Sequence, residues 1–166
     1  MINEYVTEQL LLRPYTDTYG PEFIALNNNA LSRQYMDGAL SVESATTLFK
    51  QVLKDNASPQ NFACAVLLKQ TKKYIGHAFI ETTTSGSEVG FLFFPEYWGK
   101  GLGTELAKAL VKIGFEVLGL TQIFATVDPT HAASQRVLTR AGFLFISIDE
   151  DAEGAYYTYQ TTNPLK

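Results

Sequence analysis

The sequence predicts a mixed α/β domain of the α+β type, and three observations carry that prediction. Apolar runs of strand length and stretches of helical periodicity follow one another in the order β, α, α, β, β, β, α, β, α, β, β. Three strand-like runs in the middle are separated only by "QTKK" (70–73) and "TTSGS" (83–87), which suits an antiparallel meander. A glycine-rich turn then leads into a helix and another strand, a strand–helix–strand unit that implies a parallel pair. With 166 residues, 46% of them apolar and 18% charged, the chain fits one soluble domain spanning 1–166.

Each element has a local reason. "LLLRPY" (10–15) is a short strand stopped by Pro14. Helical stretches run from about Tyr19 to Asn28 and from Val42 to Asp55, the second opened by "SVES" with Ser41 as cap and Ser44 as its third residue. "NASPQN" (56–61) is a loop by composition. Strands follow at Phe62–Lys69, Tyr74–Thr82 and Glu88–Phe94. Leu102, Leu106, Leu110, Ile113 and Val117 recur at helical spacing, and "QIFATV" (122–127) is a strand. Ser134, Val137, Leu138 and Ala141 line one face of a short helix that Gly142 ends in a left-handed conformation. Strands Phe143–Asp149 and Ala155–Thr161 flank the acidic turn "EDAEG".

Composition excludes several classes of function. A net charge of −4 argues against a nucleic-acid-binding face. No apolar run approaches the roughly 20 residues that span a bilayer, and "MINEYVTEQ" lacks the form of a signal peptide, so a cytoplasmic location is expected. Cys64 is the only cysteine, and its apolar run "FACAVLL" makes it a core residue. The two histidines, His77 and His131, have no converging ligand set in the sequence, and no metal is expected.

The glycine turn carries the chemistry. In "FPEYWGKGLGTELAKAL" (94–110), Gly99, Gly101 and Gly103 alternate with Lys100 and Leu102 directly before the helix. Glycine permits positive φ and leaves amide hydrogens uncovered, and a helix N-terminus favours an anion. That is a phosphate or pyrophosphate cradle with a nearby cation, or a turn that holds nothing. A P-loop is excluded because Lys100 precedes Gly101 rather than Ser or Thr. The dinucleotide fingerprint is excluded because the glycines step by two and two.

The neighbouring residues decide between these readings. "EVGFLFFPEYWGKGLGTELAKALVKIGFEVLGL" (88–120) strongly resembles the acetyl-CoA motif of the GNAT superfamily of N-acetyltransferases. That family carries Arg/Gln-x-x-Gly-x-Gly/Ala between its fourth strand and third helix. Here Trp98 stands where Arg or Gln is usual, and "PEYWGKG" followed by Thr104 and Glu105 is a spelling similar to the RimJ/RimL-like branch. "TEQLLLRPYT" (7–16) resembles the opening strand of that branch, and "ATVDPTHAASQRVLTRAGF" (125–143) its later serine segment. The likeness covers nearly the whole chain.

The resemblance implies a GNAT-like acyl-CoA acyltransferase fold, a mixed and mostly antiparallel sheet flanked by helices. It implies acetyl-CoA as acyl donor, bound along Phe91, Leu92 and Phe93, with its pyrophosphate on Trp98, Gly99, Lys100, Gly101, Leu102, Gly103 and Thr104. One amide of 91–93 would polarise the thioester carbonyl. Glu88 matches a carboxylate common in the branch and is either the base for the amine or a solvated glutamate, with Glu81 as its substitute. Ser134 either assists the leaving thiolate near the cofactor sulfur or bonds its own backbone. His131 replaces the usual Asn; with Ser134 it is expected beside the cofactor, where it either shapes substrate contacts, shares acid–base work or only fills the helix entrance. Tyr35, Met36, Asp37, Tyr156, Tyr157 and Tyr159 are expected walls of the acceptor pocket or ordinary packing residues. The acceptor is then a primary amine, on a small molecule or a protein N-terminus, and the molecule a monomer or homodimer. The competing reading is an acetyl-CoA-binding sensor without turnover.

Overall fold

A computed structural model describes residues 3–166. Its strands are β1 (Tyr5–Val6), β2 (Leu10–Pro14), β3 (Phe62–Leu68), β4 (Tyr74–Thr83), β5 (Gly86–Phe93), β6 (Gln122–Val127), β7 (Leu144–Asp151) and β8 (Gly154–Thr162). The helices are α1 (Gly20–Asn27), α2 (Val42–Asp55), α3 (Leu102–Lys112) and α4 (Ala132–Arg140). The strands form a mixed sheet in the order β1-β2-β3-β4-β5-β6-β8-β7. The chain divides into two compact units, one made of residues up to Phe79 with Phe91–Leu102, the other of Ile80–Gly90 with Gly103–Lys166.

In the first unit β2 pairs antiparallel with β3, Leu12 opposite Val66. One core cluster gathers Leu11, Tyr15, Phe23, Leu26, Phe49, Ala65, Leu67, Tyr74 and Leu92. Helix α2 begins where the cap pattern expects it, with Ser41 Oγ accepting from the Ser44 amide at 3.0 Å. The expected strands and both helices are present, and Cys64 is fully buried. The two-residue strand β1, beside β2 through Tyr5 opposite Leu12, has too little sequence to show a period.

Within that core the Tyr15 hydroxyl lies 2.8 Å from the Tyr74 hydroxyl and 2.9 Å from His77 Nδ1. Burial pushes His77 down to about 4 and the Tyr15 phenol well above its ordinary range. His77 is therefore neutral near pH 7. The two hydroxyls and the imidazole thus form one buried hydrogen-bonded chain, whose donor order follows from which ring nitrogen of His77 carries the proton.

A histidine whose pKa is depressed on folding contributes stability above its unfolded value of about 6.5, and that contribution is lost as pH falls toward 4. The loss over that window amounts to about 3 kcal/mol. In urea unfolding of the native protein and His77→Gln, the stability difference should shrink by that order between pH 7 and pH 4. A difference independent of pH would show that His77 is not held neutral by the fold.

In the second unit β6 pairs antiparallel with β8, Ala125 opposite Tyr159, and β8 with β7, Ile148 opposite Tyr157. The parallel pair expected around the glycine turn is present, with Glu88 on β5 opposite Phe124 on β6. Strand β5 starts at Gly86, two residues before the expected Glu88, because Gly86 takes φ 126° and tightens the preceding turn. Strand β7 is the edge strand. It exposes Leu144 and Ile148, while Asp149, Glu150 and Asp151 place charge along the same edge.

The α3 stripe is buried at Leu106, Leu110 and Ile113, but Val117 is 52% exposed. The helix closes in a π turn over Ile113–Val117, with the Leu118 amide bonding Ile113 O at 3.0 Å. The change from i→i+4 to i→i+5 bonding rotates the stripe and carries Val117 off the buried face.

Candidate functional site

In the first unit, the chain leaves β5 through Pro95–Tyr97, a single 3-10 turn whose proline presets φ. Trp98 is extended and 42% exposed, its amide bonded to Pro95 O at 3.1 Å. Gly99 and Gly101 have φ 72° and 79°, the left-handed region in which a side chain is strained. A Cβ at either would meet no atom within 4 Å. Backbone conformation, not crowding, is what requires glycine there.

Gly99, Lys100 and Gly101 are exposed, and no hydrogen bond among the described residues engages their amides. Lys100 Nζ lies 5.7 Å from the centre of the Tyr97 ring, and Lys73 Nζ lies 5.8 Å from the same ring. Exposed amides, a flanking cation and the start of an 11-residue helix at Leu102 together fit a pyrophosphate. Gly103 and Thr104 continue that first turn of α3, both half-buried.

The preceding strand segment alternates as a pleat requires. Leu92 joins the Tyr15–Phe23–Phe49 cluster, while Phe91 and Phe93 lie with ring centres 5.8 Å apart. Leu92 and Phe93 are buried and Phe91 half-buried. Their side chains pack, so any donor contact there belongs to the backbone. Gly76 on β4 makes that approach of strands feasible: a Cβ would overlap the Leu92 carbonyl oxygen and come 2.8 Å from Phe93 Cδ1.

In the second unit, Glu88 is half-buried on β5. Its Oε2 accepts a 3.0 Å hydrogen bond from the Thr126 hydroxyl on β6. Burial raises the Glu88 carboxyl above its usual range, the Thr126 bond opposes this, and the neighbouring Glu81 charge adds to it. A carboxylate with a raised pKa is a stronger proton acceptor than a solvated one. Glu81 is exposed. Thr126 was not among the residues singled out from the sequence. Its only signal there is a polar position in the alternation of "QIFATV".

Helix α4 places Ser134 half-buried, on the side of the helix that buries Leu138. Among the described residues no hydrogen bond engages the Ser134 hydroxyl, unlike Thr139, which bonds back to Gln135 O at 3.0 Å. The local backbone bond weighed for Ser134 is therefore not formed. His131 stands at the N-cap position but makes no side-chain cap bond. Burial pulls its imidazole below the ordinary value, while the Asp128 charge opposes that shift.

The aromatic residues proposed as pocket walls have mixed placements. Tyr35 and Met36 are exposed beside Asp37, which takes φ 73°, in a turn tied by Arg33 to Gly38 O and Met36 O. Tyr156 and Tyr157 are half-buried. Tyr159 is a core residue, buried against Phe145 in an edge-on contact at 5.8 Å. It lies on the strand face that also carries buried Ala125, its partner on β6.

Among the described residues no group of three or more His, Cys, Asp or Glu is arranged to hold a metal ion, and no helix is long and apolar enough to cross a membrane.

The chain is similar to known proteins in sequence and in fold. The acetyltransferase (GNAT) domain family matches residues 9–144. The uncharacterized N-acetyltransferase YoaA of Bacillus subtilis is 27% identical over 164 residues, covering 95% of this chain and 89% of its own. Spermidine N(1)-acetyltransferase of Escherichia coli is 35% identical over a shorter stretch of 57 residues, 34% of this chain and 31% of that protein. The structure of a putative ribosomal-protein-serine acetyltransferase from Vibrio cholerae superposes with a TM-score of 0.82 at 21% identity, covering 98% of this chain and all of that one, and so shares the fold. With the family match spanning the opening strand, the glycine turn and the serine helix, this chain belongs to the GNAT acetyltransferases and is an acetyl-CoA-dependent N-acetyltransferase.

Proposed function

We propose that this enzyme transfers the acetyl group of acetyl-CoA directly to a primary amine within a ternary complex, and that it belongs to the RimJ/RimL-like branch. The observation that carries the reading is the run of exposed, unbonded amides at Gly99, Lys100 and Gly101 before α3. They would receive the pyrophosphate, together with Leu102, Gly103 and Thr104, while Trp98 flanks the loop in place of the usual Arg or Gln. A backbone amide of Phe91, Leu92 or Phe93 would polarise the thioester carbonyl. The family match runs through both compact units, which supports treating residues 1–166 as one catalytic domain.

Glu88 is the proposed base. The amine reacts in its neutral form, having lost its ammonium proton to solvent: its nitrogen bonds to the acetyl carbon, the carbon–sulfur bond breaks to release the CoA thiolate, and the nitrogen's surplus proton passes to the Glu88 carboxylate. Ser134 would donate a hydrogen bond to the departing sulfur, and its unengaged hydroxyl supports that role. His131 would line the entrance beside it.

Spermidine is the acceptor in the name of one relative, while proteins that share the fold are named for a ribosomal-protein serine or hold ribostamycin; we take these three as the acceptors to try. The carboxylates of Glu81 and Glu88 on neighbouring strands favour an acceptor that arrives as a cation.

Release of the CoA thiol should be measured with spermidine, ribostamycin and a peptide with a free N-terminal serine. Turnover with one of them establishes the reaction. Tight acetyl-CoA binding without release across a broad amine panel would favour a sensor instead. Gly101→Ala places a side chain at φ 79° and should weaken acetyl-CoA binding about tenfold, read as a smaller thermal shift than the native protein shows. A native shift with ATP but not with acetyl-CoA would overturn the cradle.

A further inference from the structure

We propose that Thr126 is a positioning residue for acetyl transfer, holding one oxygen of Glu88 so that the other is presented to the amine's proton. This rests on the reading of Glu88 as the base.

The geometry follows from the register of three strands. Glu88 on β5 lies opposite Phe124 on β6, and Thr126, two residues further, is on the same face as Phe124. Its hydroxyl donates to Glu88 Oε2 at 3.0 Å. On its other side Thr126 lies opposite Thr158 of β8, which has its own acceptor: Thr158 donates to Asp149 Oδ2 at 2.8 Å, and Ser147 donates to the same oxygen at 2.7 Å. The Thr158 proton is committed to Asp149, so Thr126 is left to serve Glu88.

Threonine suits this role because β-branching restricts χ1 on a strand and so fixes the direction of the hydroxyl. A glutamate has several rotatable bonds, and one anchored oxygen removes most of their freedom.

The surroundings of Glu88 make the contact consequential. Glu81 is the charged group facing it from β4, and β6 presents Phe124 and Thr126 rather than a cation. The Thr126 hydroxyl is the group that favours the ionised carboxylate, while burial and the Glu81 charge favour the protonated one.

The test is a carbon-detected NMR titration of glutamate side-chain carboxyls in the intact protein, with Glu88→Gln identifying the Glu88 signal. It needs no acceptor. Thr126→Val should move the Glu88 midpoint upward by about half a pH unit or more. Thr126→Ser should restore it, and Glu81→Gln should move it downward.

In turnover with an accepted amine, Thr126→Val should lower kcat about three- to tenfold and raise the acidic limb of the pH profile, with Ser restoring both. An unmoved midpoint in a folded Thr126→Val protein overturns the proposal while leaving Glu88 as base. A moved midpoint with unchanged turnover overturns it as well. Normal turnover in Glu88→Gln overturns the base and this proposal together.

Discussion

Glu88→Gln should lower turnover about a hundredfold while leaving acetyl-CoA affinity within about a factor of two of native. Glutamine keeps the shape and can still accept the Thr126 hydrogen bond, but it cannot take a proton near neutrality. The proposed cofactor cradle lies elsewhere in the chain, at Trp98–Thr104, so donor binding has no reason to change.

The pH profile gives a second reading of the same group. Because the Glu88 carboxyl is raised, native activity should fall on the acidic side at a pH above the usual carboxylate range. Glu88→Gln should flatten that limb. Thiol release measured from pH 5 to 9, with donor affinity by calorimetry, checks both. Native turnover with an unchanged limb would move the base role to Glu81 or to water.

Gly76→Ala should cost about 3 kcal/mol or more of stability. Its Cβ would overlap the Leu92 carbonyl oxygen, and backbone cannot rotate aside. The strand would have to shift where Leu92 meets the Tyr15–Phe23–Phe49 cluster. The same shift would displace the amides of Phe91, Leu92 and Phe93, so donor affinity should fall with stability.

Gly114→Ala provides the contrast. Its Cβ would meet the tip of the Ile123 side chain, which can adjust. That variant should cost less, and Ile123→Val, which removes the colliding Cδ1, should relieve much of the cost. Urea unfolding of the native protein, Gly76→Ala, Gly114→Ala, Ile123→Val and the Gly114→Ala/Ile123→Val double variant measures these differences. Equal costs for Gly76→Ala and Gly114→Ala would show that strand β5 yields as readily as a side chain.

Local pattern alone located most of the fold. Strand β6 occupies Gln122–Val127 as its alternation requires, and Ser41 caps α2 because its hydroxyl can reach an amide three residues on. The two departures from it have separate local causes. Val117 leaves the α3 stripe because a π turn changes the period, and β5 begins early because Gly86 bends the chain. Of the two readings of Tyr159, pocket wall or packing residue, its burial opposite Ala125 selects packing.

The candidate site divides in the same way. The glycine turn is contiguous, so its spacing and its helix are written in "WGKGLGT". The partner of Glu88 is 38 positions away, and no local period connects a glutamate on one strand to a threonine on another. Gly76 is equally silent in sequence, since its need for a bare backbone comes from Leu92 across the pleat.

By itself, then, the sequence determined the order of the elements from β2 onward, the glycine turn and the acetyltransferase family, because each depends on residues close together in the chain. Tertiary structure alone decided which hydroxyl holds Glu88, which glycine separates two strands and which histidine is kept neutral. Those properties arise from groups brought together by strand pairing and from water excluded by packing.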